Sequence, residues 1–189
     1  AVTKTFPINH ILPLINEGHK DFGENKVQEA VEKWTTIKQD FPNIKLHLLG
    51  KLQTNKVKFV LPLFDYIHSL DSIKLATKIS EQQIKKNFKP KIFIQVNIGD
   101  EIQKGGIDID NLDTFYKKCI EDFKLDIIGL MSIPPFDKDP KPYFIKMKEL
   151  SESLKLKDIS MGMSNDYLEA IKQGSTFIRI GSKIFGARD

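Results

Sequence analysis

The sequence has a single cysteine, Cys119, among its 189 residues. One thiol cannot form an internal disulfide framework or a cysteine-rich metal site, and this scarcity is typical of a reducing compartment. Glycine and proline are also few, with 11 and 9 residues, which excludes a collagen-like chain and a low-complexity linker. Because 40% of the residues are hydrophobic, the chain has enough apolar side chains to bury a core.

No apolar run approaches the roughly 18 residues that a membrane-spanning helix requires, and no signal-peptide pattern is present. The net charge is only +4, from 29 basic and 25 acidic residues, and the charges are scattered along the chain. Nucleic-acid binding needs basic residues clustered on one face, which this distribution does not indicate. We therefore expect a cytoplasmic protein that binds neither membranes nor nucleic acids.

Short β-rich runs alternate with segments of helical spacing along the whole chain. The predicted strands are residues 1–4, 21–24, 45–49, 66–70, 91–98, 125–132, 158–161 and 177–180. The predicted helices are residues 8–15, 26–38, 55–63, 72–87, 111–123, 142–154 and 165–173. Strict alternation favours a parallel sheet with helices outside it, and eight strands predict a closed (β/α)8 barrel of the TIM type.

An open doubly wound sheet is the alternative fold. It more often has five or six strands and a GxGxxG turn after the first strand, and no such turn is present in this sequence. No linker or repeat divides the chain, so we expect one domain over residues 1–189.

Two glycine- and serine-containing loops follow the last two predicted strands. They are Gly162-Met163-Ser164, ahead of a predicted helix, and Gly181-Ser182. Barrels of this type often bind phosphate at these positions, because glycine lets backbone N–H groups approach an anion and serine adds a hydroxyl donor. Each loop alone is typical of an ordinary turn or helix cap, but the two together predict a phosphate site.

Two cations, Lys4 and Arg179, are embedded in apolar strands. Side chains alternate along a strand, and the first and last strands of a closed barrel are neighbours, so both cations are expected inside the barrel near the phosphate loops. Lys4 then either contacts a phosphorylated substrate or forms a Schiff base with a phosphorylated aldehyde. A strand-end lysine that extends into solvent is the third interpretation.

The remaining candidates are weaker. The four histidines lack metal-ligand spacing. His47 either lines the site or lies satisfied in the core, and the other three, His10, His19 and His68, are predicted bystanders in helices or loops. Glu24 is the strongest strand-end carboxylate, and it supports the alternative of a phosphosugar-type isomerase that uses an acidic base.

A series of motifs occurs in order along the chain. They are AVTKT at 1–5, FGEN at 22–25, HLLGKLQTNK at 47–56, VNI at 96–98 with Lys104 and Gly106, GLMS at 129–132, SMGMS at 160–164, AIKQGSTFIRIGS at 170–182 and IFGAR at 184–188. This series resembles the YggS/PROSC family of pyridoxal phosphate homeostasis proteins over essentially the whole chain. Ser182 stands where the family more often has threonine, and Gly99 where it more often has serine.

The resemblance implies a barrel like the N-terminal domain of alanine racemase, of fold type III among pyridoxal phosphate (PLP) proteins. It implies that Lys4 holds pyridoxal 5'-phosphate as an internal aldimine and that Arg179 faces the pyridine nitrogen. The phosphate-binding residues that it implies are Ser164, Gly181 and Ser182. The ring-pocket residues that it implies are Asn25, Met131 and Met163.

The implied function is intracellular PLP homeostasis by a monomer that supplies the cofactor to PLP-dependent apoenzymes without established turnover. An amino-acid racemase is the alternative, but it needs a second domain and an opposing tyrosine base. Family members usually have a helix before the lysine strand, whereas this sequence begins inside that strand. We therefore expect an N-terminal helix to be missing from it, at the seam that contains Lys4 and Arg179.

Overall fold

The computed structural model describes residues 1–99, 101 and 105–186, and within them strands and helices alternate. The strands are β1 (Asp21–Glu24), β2 (Lys45–Leu48), β3 (Tyr66–Leu70), β4 (Lys91–Gln95), β5 (Asp126–Met131), β6 (Asp158–Met163) and β7 (Phe177–Arg179). The α-helices are α1 (Ile8–Asn16), α2 (Val27–Asp40), α3 (Val57–Val60), α4 (Ile73–Lys86), α5 (Leu112–Glu121), α6 (Lys141–Ser153), α7 (Tyr167–Lys172) and α8 (Ser182–Phe185). The motif residues Lys104, Ala187 and Arg188 lie outside the described residues.

The strands form one parallel sheet in the order β1 to β7. The first residues of the chain fill the gap between its two edges. The Val2 N–H donates to the carbonyl of Ile180 after β7, at 2.7 Å, and the Gly23 N–H of β1 donates to the carbonyl of Ala1, at 2.7 Å. The predicted barrel is therefore confirmed, with this segment in the eighth strand position.

The predicted first strand, residues 1–4, is reduced to a single parallel bridge between Val2 and Gly23. The extended segment ends there because the chain turns at once: Thr5 adopts a φ of 69°, in the left-handed region that a β-branched residue rarely occupies. The predicted helix at residues 55–63 is also shorter, since Leu61 is extended with ψ 127° ahead of Pro62. Helix α8 was not predicted.

The main apolar core lies between the sheet and the helices. Phe22 of β1 packs against Trp34 of α2 with ring centroids 5.0 Å apart, and both side chains are fully buried. Each such burial stabilises the fold by about 1.5–3 kcal/mol. No helix in the described ranges is long and apolar enough to span a membrane.

The inside of the barrel is filled by a second, aromatic and polar set of side chains. His47 stacks on Tyr66 at 4.2 Å between ring centroids, and His68 stacks on Phe93 at 4.3 Å. Phe177 of β7 meets Phe93 across the barrel at 5.1 Å. Phe177 also lies 6.0 Å from His47 and from His68, so it contacts side chains of strands that are not its neighbours in the sheet, and these positions therefore face inward. The barrel interior is therefore packed with side chains, and those at the carboxyl ends of the strands form the floor of the site.

Candidate functional site

A cleft of about 720 Å³ opens at the carboxyl ends of the strands. That volume is within the range of roughly 300–1,000 Å³ that small-molecule sites occupy. Residues from the start of the chain and from the loops after β1, β2, β5, β6 and β7 line it. Seven of the eight predicted site residues belong to this lining: Lys4, Asn25, Met163, Ser164, Arg179, Gly181 and Ser182.

Met131 is the predicted site residue that the structure does not bring into the cleft lining. It ends β5 with its side chain only 1% exposed, and its register partner on β6 is Ser160. Alternation along β5 places Met131 in line with Gly129, whose register partner is the inward-facing Phe93. A role for Met131 in the ring pocket therefore stays a prediction from the resemblance.

Lys4 is positioned by the short segment that closes the barrel. The Thr3 N–H donates to the carbonyl of Gly23 at 2.9 Å, which fixes the backbone just before Lys4. Directly after Lys4, the Thr5 N–H donates to Glu29 Oε1 of α2 at 2.7 Å. The lysine is therefore held between two anchored residues, half-buried at the lip of the cleft.

The loops after β6 and β7 meet each other in the cleft. The Gly181 N–H donates to Ser164 Oγ at 3.4 Å, and α8 begins at the next residue, Ser182. Gly162, near the end of β6, has a φ of 92°, and an added Cβ would lie 2.5 Å from the Ala170 Cβ of α7, so this position has no room for a side chain. The hydroxyl and backbone donors predicted for a phosphate therefore converge in one place.

A proline-rich wall on one side of the cleft was not predicted as part of the site. Its members are Ile133, Pro134, Pro135, Phe136 and Pro140. Phe136 is 94% exposed at the rim, an unusual setting for a phenylalanine. An added Cβ on Gly99 would lie 2.8 Å from Pro135 Cγ, so the glycine at this position makes room for the wall. The run of prolines after the sixth predicted strand was the available signal.

Arg179 is a cation on the cleft floor and is only 8% exposed. Its Nη1 donates to Ser160 Oγ at 2.8 Å, and its Nη2 donates to the Ser132 carbonyl at 2.9 Å. Burial lowers the pKa of the guanidinium from its ordinary value to about 10, and Asp166 partly opposes this shift. Arg179 therefore keeps its positive charge at neutral pH.

The prediction that His68 lies in a helix or loop is wrong. His68 belongs to β3, is 1% exposed inside the barrel, and places its Nδ1 2.9 Å from Ser160 Oγ. Its Nε2 lies 3.0 Å from His47 Nδ1, so His47 is the satisfied core histidine of the second interpretation. Burial lowers the pKa of both imidazoles, which keeps them neutral. The described residues contain no cluster of three metal-ligating side chains.

Glu24 does not face the cleft, which removes the base of the isomerase alternative. Its Oε1 accepts hydrogen bonds from Thr3 Oγ1 at 2.7 Å, Lys33 Nζ at 2.8 Å and Trp34 Nε1 at 3.0 Å. All of these groups lie on the outer side of the sheet or on α2, and Glu24 is fully buried among them. This carboxylate is structural.

The whole chain, residues 1–189, matches the family described as alanine racemase, N-terminal domain. The pyridoxal phosphate homeostasis protein of Aquifex aeolicus is 39% identical over 197 residues, which cover 100% of this chain and 86% of the relative. That of Haemophilus influenzae is 41% identical over 199 residues, which cover 100% of this chain and 84% of the relative.

Solved structures show the same relationship. PipY of Synechococcus elongatus without PLP aligns with a TM-score of 0.93 at 34% identity, over 98% of this chain and 91% of PipY. PipY with PLP bound aligns with a TM-score of 0.89 over the same shares. An alanine racemase of Clostridium difficile, at 14% identity and a TM-score of 0.75, covers 99% of this chain and shares its fold. The chain therefore belongs to the alanine racemase N-terminal-domain family and, within it, to the YggS/PROSC group of pyridoxal phosphate homeostasis proteins.

Proposed function

We propose that this chain binds pyridoxal 5'-phosphate in the cleft and maintains a cytoplasmic supply of it for PLP-dependent apoenzymes. Residues 1–189 act as one binding domain and as a monomer in this proposal. The observation that supports it most is the meeting of Lys4, Arg179 and the two serine loops on one cleft. The structure of PipY with PLP bound, which aligns at a TM-score of 0.89, supports the same assignment.

The chemistry of the donor set fits the three polar features of this cofactor. A phosphate is bound by Ser164, Gly181 and Ser182, whose loops already contact each other through the Gly181 N–H and Ser164 Oγ. A lysine amine can condense with the cofactor's aldehyde, with loss of one water molecule, which assigns the covalent link to Lys4. A pyridine nitrogen is an acceptor, and the Arg179 guanidinium offers only donors.

Arg179 also determines the kind of chemistry that the site favours. When bound, the cofactor supplies an electron-withdrawing ring, and that ring withdraws most strongly when a carboxylate keeps its nitrogen protonated. A charged guanidinium cannot accept a hydrogen bond from a protonated ring nitrogen, and Arg179 stays charged because its pKa, about 10 after burial, is well above neutral pH. This site therefore favours holding the cofactor over transamination or decarboxylation.

Reduction with borohydride tests the assignment of Lys4. Protein incubated with PLP, reduced and digested is expected to yield one labelled peptide, with the label on Lys4. The Lys4→Ala variant is expected to lose the visible absorption band, while Lys138→Ala, which removes the other lysine of the cleft lining, retains it. A label on Lys138, or an unchanged band in Lys4→Ala, overturns the assignment.

Transfer of PLP from this protein to an apoenzyme is tested separately. Loaded protein is mixed with a PLP-dependent apoenzyme in the presence of a phosphatase that destroys free PLP. Reactivation above that given by an equal amount of free PLP supports delivery, and equal reactivation contradicts it. Loaded protein is also incubated with L-amino acids, and formation of D-isomers would support the racemase alternative instead.

A further inference from the structure

A line of hydrogen bonds runs through the barrel from the cleft floor to its opposite end. Arg179 Nη1 lies 2.8 Å from Ser160 Oγ, and Ser160 Oγ lies 2.9 Å from His68 Nδ1. His68 Nε2 lies 3.0 Å from His47 Nδ1, and His47 Nε2 lies 3.0 Å from Asp21 Oδ1. Four strands, β7, β6, β3 and β2, contribute to this line before it ends on β1.

The direction of every hydrogen bond in the line follows from its two ends. The Asp21 carboxylate only accepts, so His47 Nε2 bears a proton and, in a neutral ring, His47 Nδ1 accepts. His68 Nε2 must then donate to His47, which leaves His68 Nδ1 as an acceptor. The Ser160 hydroxyl therefore gives its only proton to His68, and its oxygen accepts from Arg179, which only donates.

We propose that Ser160 and His68 are positioning residues that hold the Arg179 guanidinium in one orientation on the cleft floor, with His47 and Asp21 fixing the direction of the line. This inference rests on the proposed function, because it assigns these residues to the binding of PLP. Ser160 cannot turn its proton toward the cleft while His68 requires it. Nη1 of Arg179 is thereby fixed, and the Ser132 carbonyl fixes Nη2 at 2.9 Å.

The charged groups around the line maintain this arrangement. Arg179 faces Asp166, from the loop before α7, and His68. Within the described part of the chain, the titratable groups that influence His68 are His47 and Arg179, and both disfavour its protonation. His47 faces Asp21, the amino group of Ala1 and Asp65 of the loop before β3. A proton added to His47 Nδ1 would point at the proton on His68 Nε2, so the line holds only while both rings are neutral.

The tautomers are tested on the protein without PLP. Long-range proton–nitrogen correlation spectra distinguish protonated from unprotonated ring nitrogens, and the four histidines can be assigned by single substitutions. At pH 7 we expect His47 and His68 both to bear a proton on Nε2 and none on Nδ1. A proton on Nδ1 of either ring overturns the inference, whether or not the protein binds PLP.

The effect on the cofactor is tested with Ser160→Ala and Ser160→Thr. In loaded Ser160→Ala we expect the pH midpoint of the visible absorption band to move by about one unit, because a nearby charge of this kind shifts a pKa by roughly 1–3 units. The threonine variant keeps the hydroxyl and is expected to restore the wild-type midpoint. Ser151→Ala is the matched control, since Ser151 is 1% exposed and donates to the Leu156 carbonyl, away from Arg179.

The outcomes separate the two proposals. If wild-type protein takes up PLP and Ser160→Ala has the wild-type midpoint, the positioning role is wrong and the binding function stands. If Ser151→Ala moves the midpoint as far as Ser160→Ala, a general loss of packing explains the effect and the positioning role is again wrong. If wild-type protein takes up no PLP, the proposed function fails, and with it the assignment of the line to PLP binding.

Discussion

At the scale of single residues, the buried carboxylate of Glu24 connects the closing segment of the barrel to α2. It accepts from Thr3 Oγ1 at 2.7 Å and pairs with Lys33 Nζ at 2.8 Å. Lys33 also donates to the Thr3 carbonyl at 3.0 Å, so one carboxylate and one ammonium bind the hydroxyl and the carbonyl of Thr3. The residue before Lys4 is thereby attached to the helix layer as well as to the sheet.

Replacement of Glu24 by alanine is expected to destabilise the fold by about 3 kcal/mol, because removing one partner of a buried pair leaves the other charge uncompensated. Lys33 keeps its contact with Glu29 at 3.1 Å, which limits the loss. Urea unfolding monitored by circular dichroism measures the change. The matched control is Glu81→Ala, which removes an exposed pair with Lys78 and is expected to leave the unfolding curve nearly unchanged. Equal losses in the two variants would contradict the structural role of Glu24.

The phosphate loops give a second prediction at this scale. The double variant Ser164→Ala/Ser182→Ala is expected to bind PLP at least about tenfold more weakly, because hydrogen bonds to a charged group contribute roughly 1.5–3 kcal/mol each. Its affinity for pyridoxal, which lacks the phosphate, is expected to be unchanged. Equilibrium titration of absorbance measures both affinities, and Ser153→Ala, on the exposed part of α6, is the control. A parallel loss for both ligands would mean that these serines do not bind the phosphate.

Lys4 and Arg179 could be placed from the sequence because strand alternation fixes which side chains share a face. The same rule places Glu24 on the face of Phe22, away from the cleft, whereas its predicted role as a base rested only on its position at a strand end. His68 shows a different limit. Its inward position follows from alternation with Tyr66, yet its partners His47 and Ser160 are 21 and 92 residues away along the chain. Only the closed sheet brings such groups together.

At the scale of elements, the junction between β6 and α7 determines where Ser164 lies. Gly162 has a φ of 92°, and an added Cβ would lie 2.5 Å from Ala170 Cβ and 3.1 Å from Tyr167 Cα. The end of the strand therefore lies directly against the first turns of the helix. Asp166 Oδ1 accepts from the Met163 N–H at 2.6 Å and closes the turn between them. A side chain at position 162 must push α7 away from the sheet.

Gly162→Ala and Gly174→Ala separate this close approach from backbone strain. Gly174 has nearly the same φ, 93°, but its nearest neighbour would be Lys148 Cδ at 3.8 Å. The left-handed conformation alone costs about 1–2 kcal/mol in an alanine, and we expect Gly174→Ala to show only that loss of unfolding free energy. Gly162→Ala is expected to lose more stability and also affinity for PLP. Equal effects on both measurements would contradict the role of the junction.

At the scale of the whole molecule, the barrel is closed by a very short extended segment. Seven strands of three to six residues form the sheet of the described residues, and the bridge at Val2 joins its edges. Regular alternation of strand and helix patterns made the barrel predictable from the sequence. The brevity of the first strand was not predictable, because hydrophobic periodicity says nothing of where the backbone turns after Lys4.

The neutral histidines inside the barrel predict a pH-dependent stability. Burial holds the pKa of His47 and His68 below the usual 6.5, so the unfolded chain binds more protons than the folded one once the pH falls below that value. Unfolding free energy is therefore expected to fall with decreasing pH from about 7 to 5.5, by up to about 1.4 kcal/mol per unit for each histidine.

Urea titrations at several pH values measure this dependence. His68→Gln is expected to reduce the slope of unfolding free energy against pH between 5.5 and 7, whatever it does to stability itself. His10→Ala, which removes an exposed histidine of α1, is the control and is expected to keep the wild-type slope. Asp21 affects the unfolding free energy in a different pH range. The hydrogen bond from His47 lowers the pKa of this carboxyl, so its stabilising contribution is lost only in strong acid. A slope unchanged in His68→Gln would contradict the burial of a neutral imidazole.

The filling of the barrel has an electrical consequence. An exposed carboxylate, at Asp21, and a buried guanidinium, at Arg179, lie at opposite ends of a file of neutral groups that are all oriented alike. The file adds no net charge, yet its bond dipoles sum along the barrel axis as peptide dipoles do along a helix. Because each donated proton points toward Asp21, the positive end of this sum faces the Asp21 carboxylate and its negative end faces the Arg179 guanidinium. The neutral groups therefore stabilise the charge at each end of the line, and the attraction that the cleft floor offers to an anion comes from the Arg179 guanidinium itself.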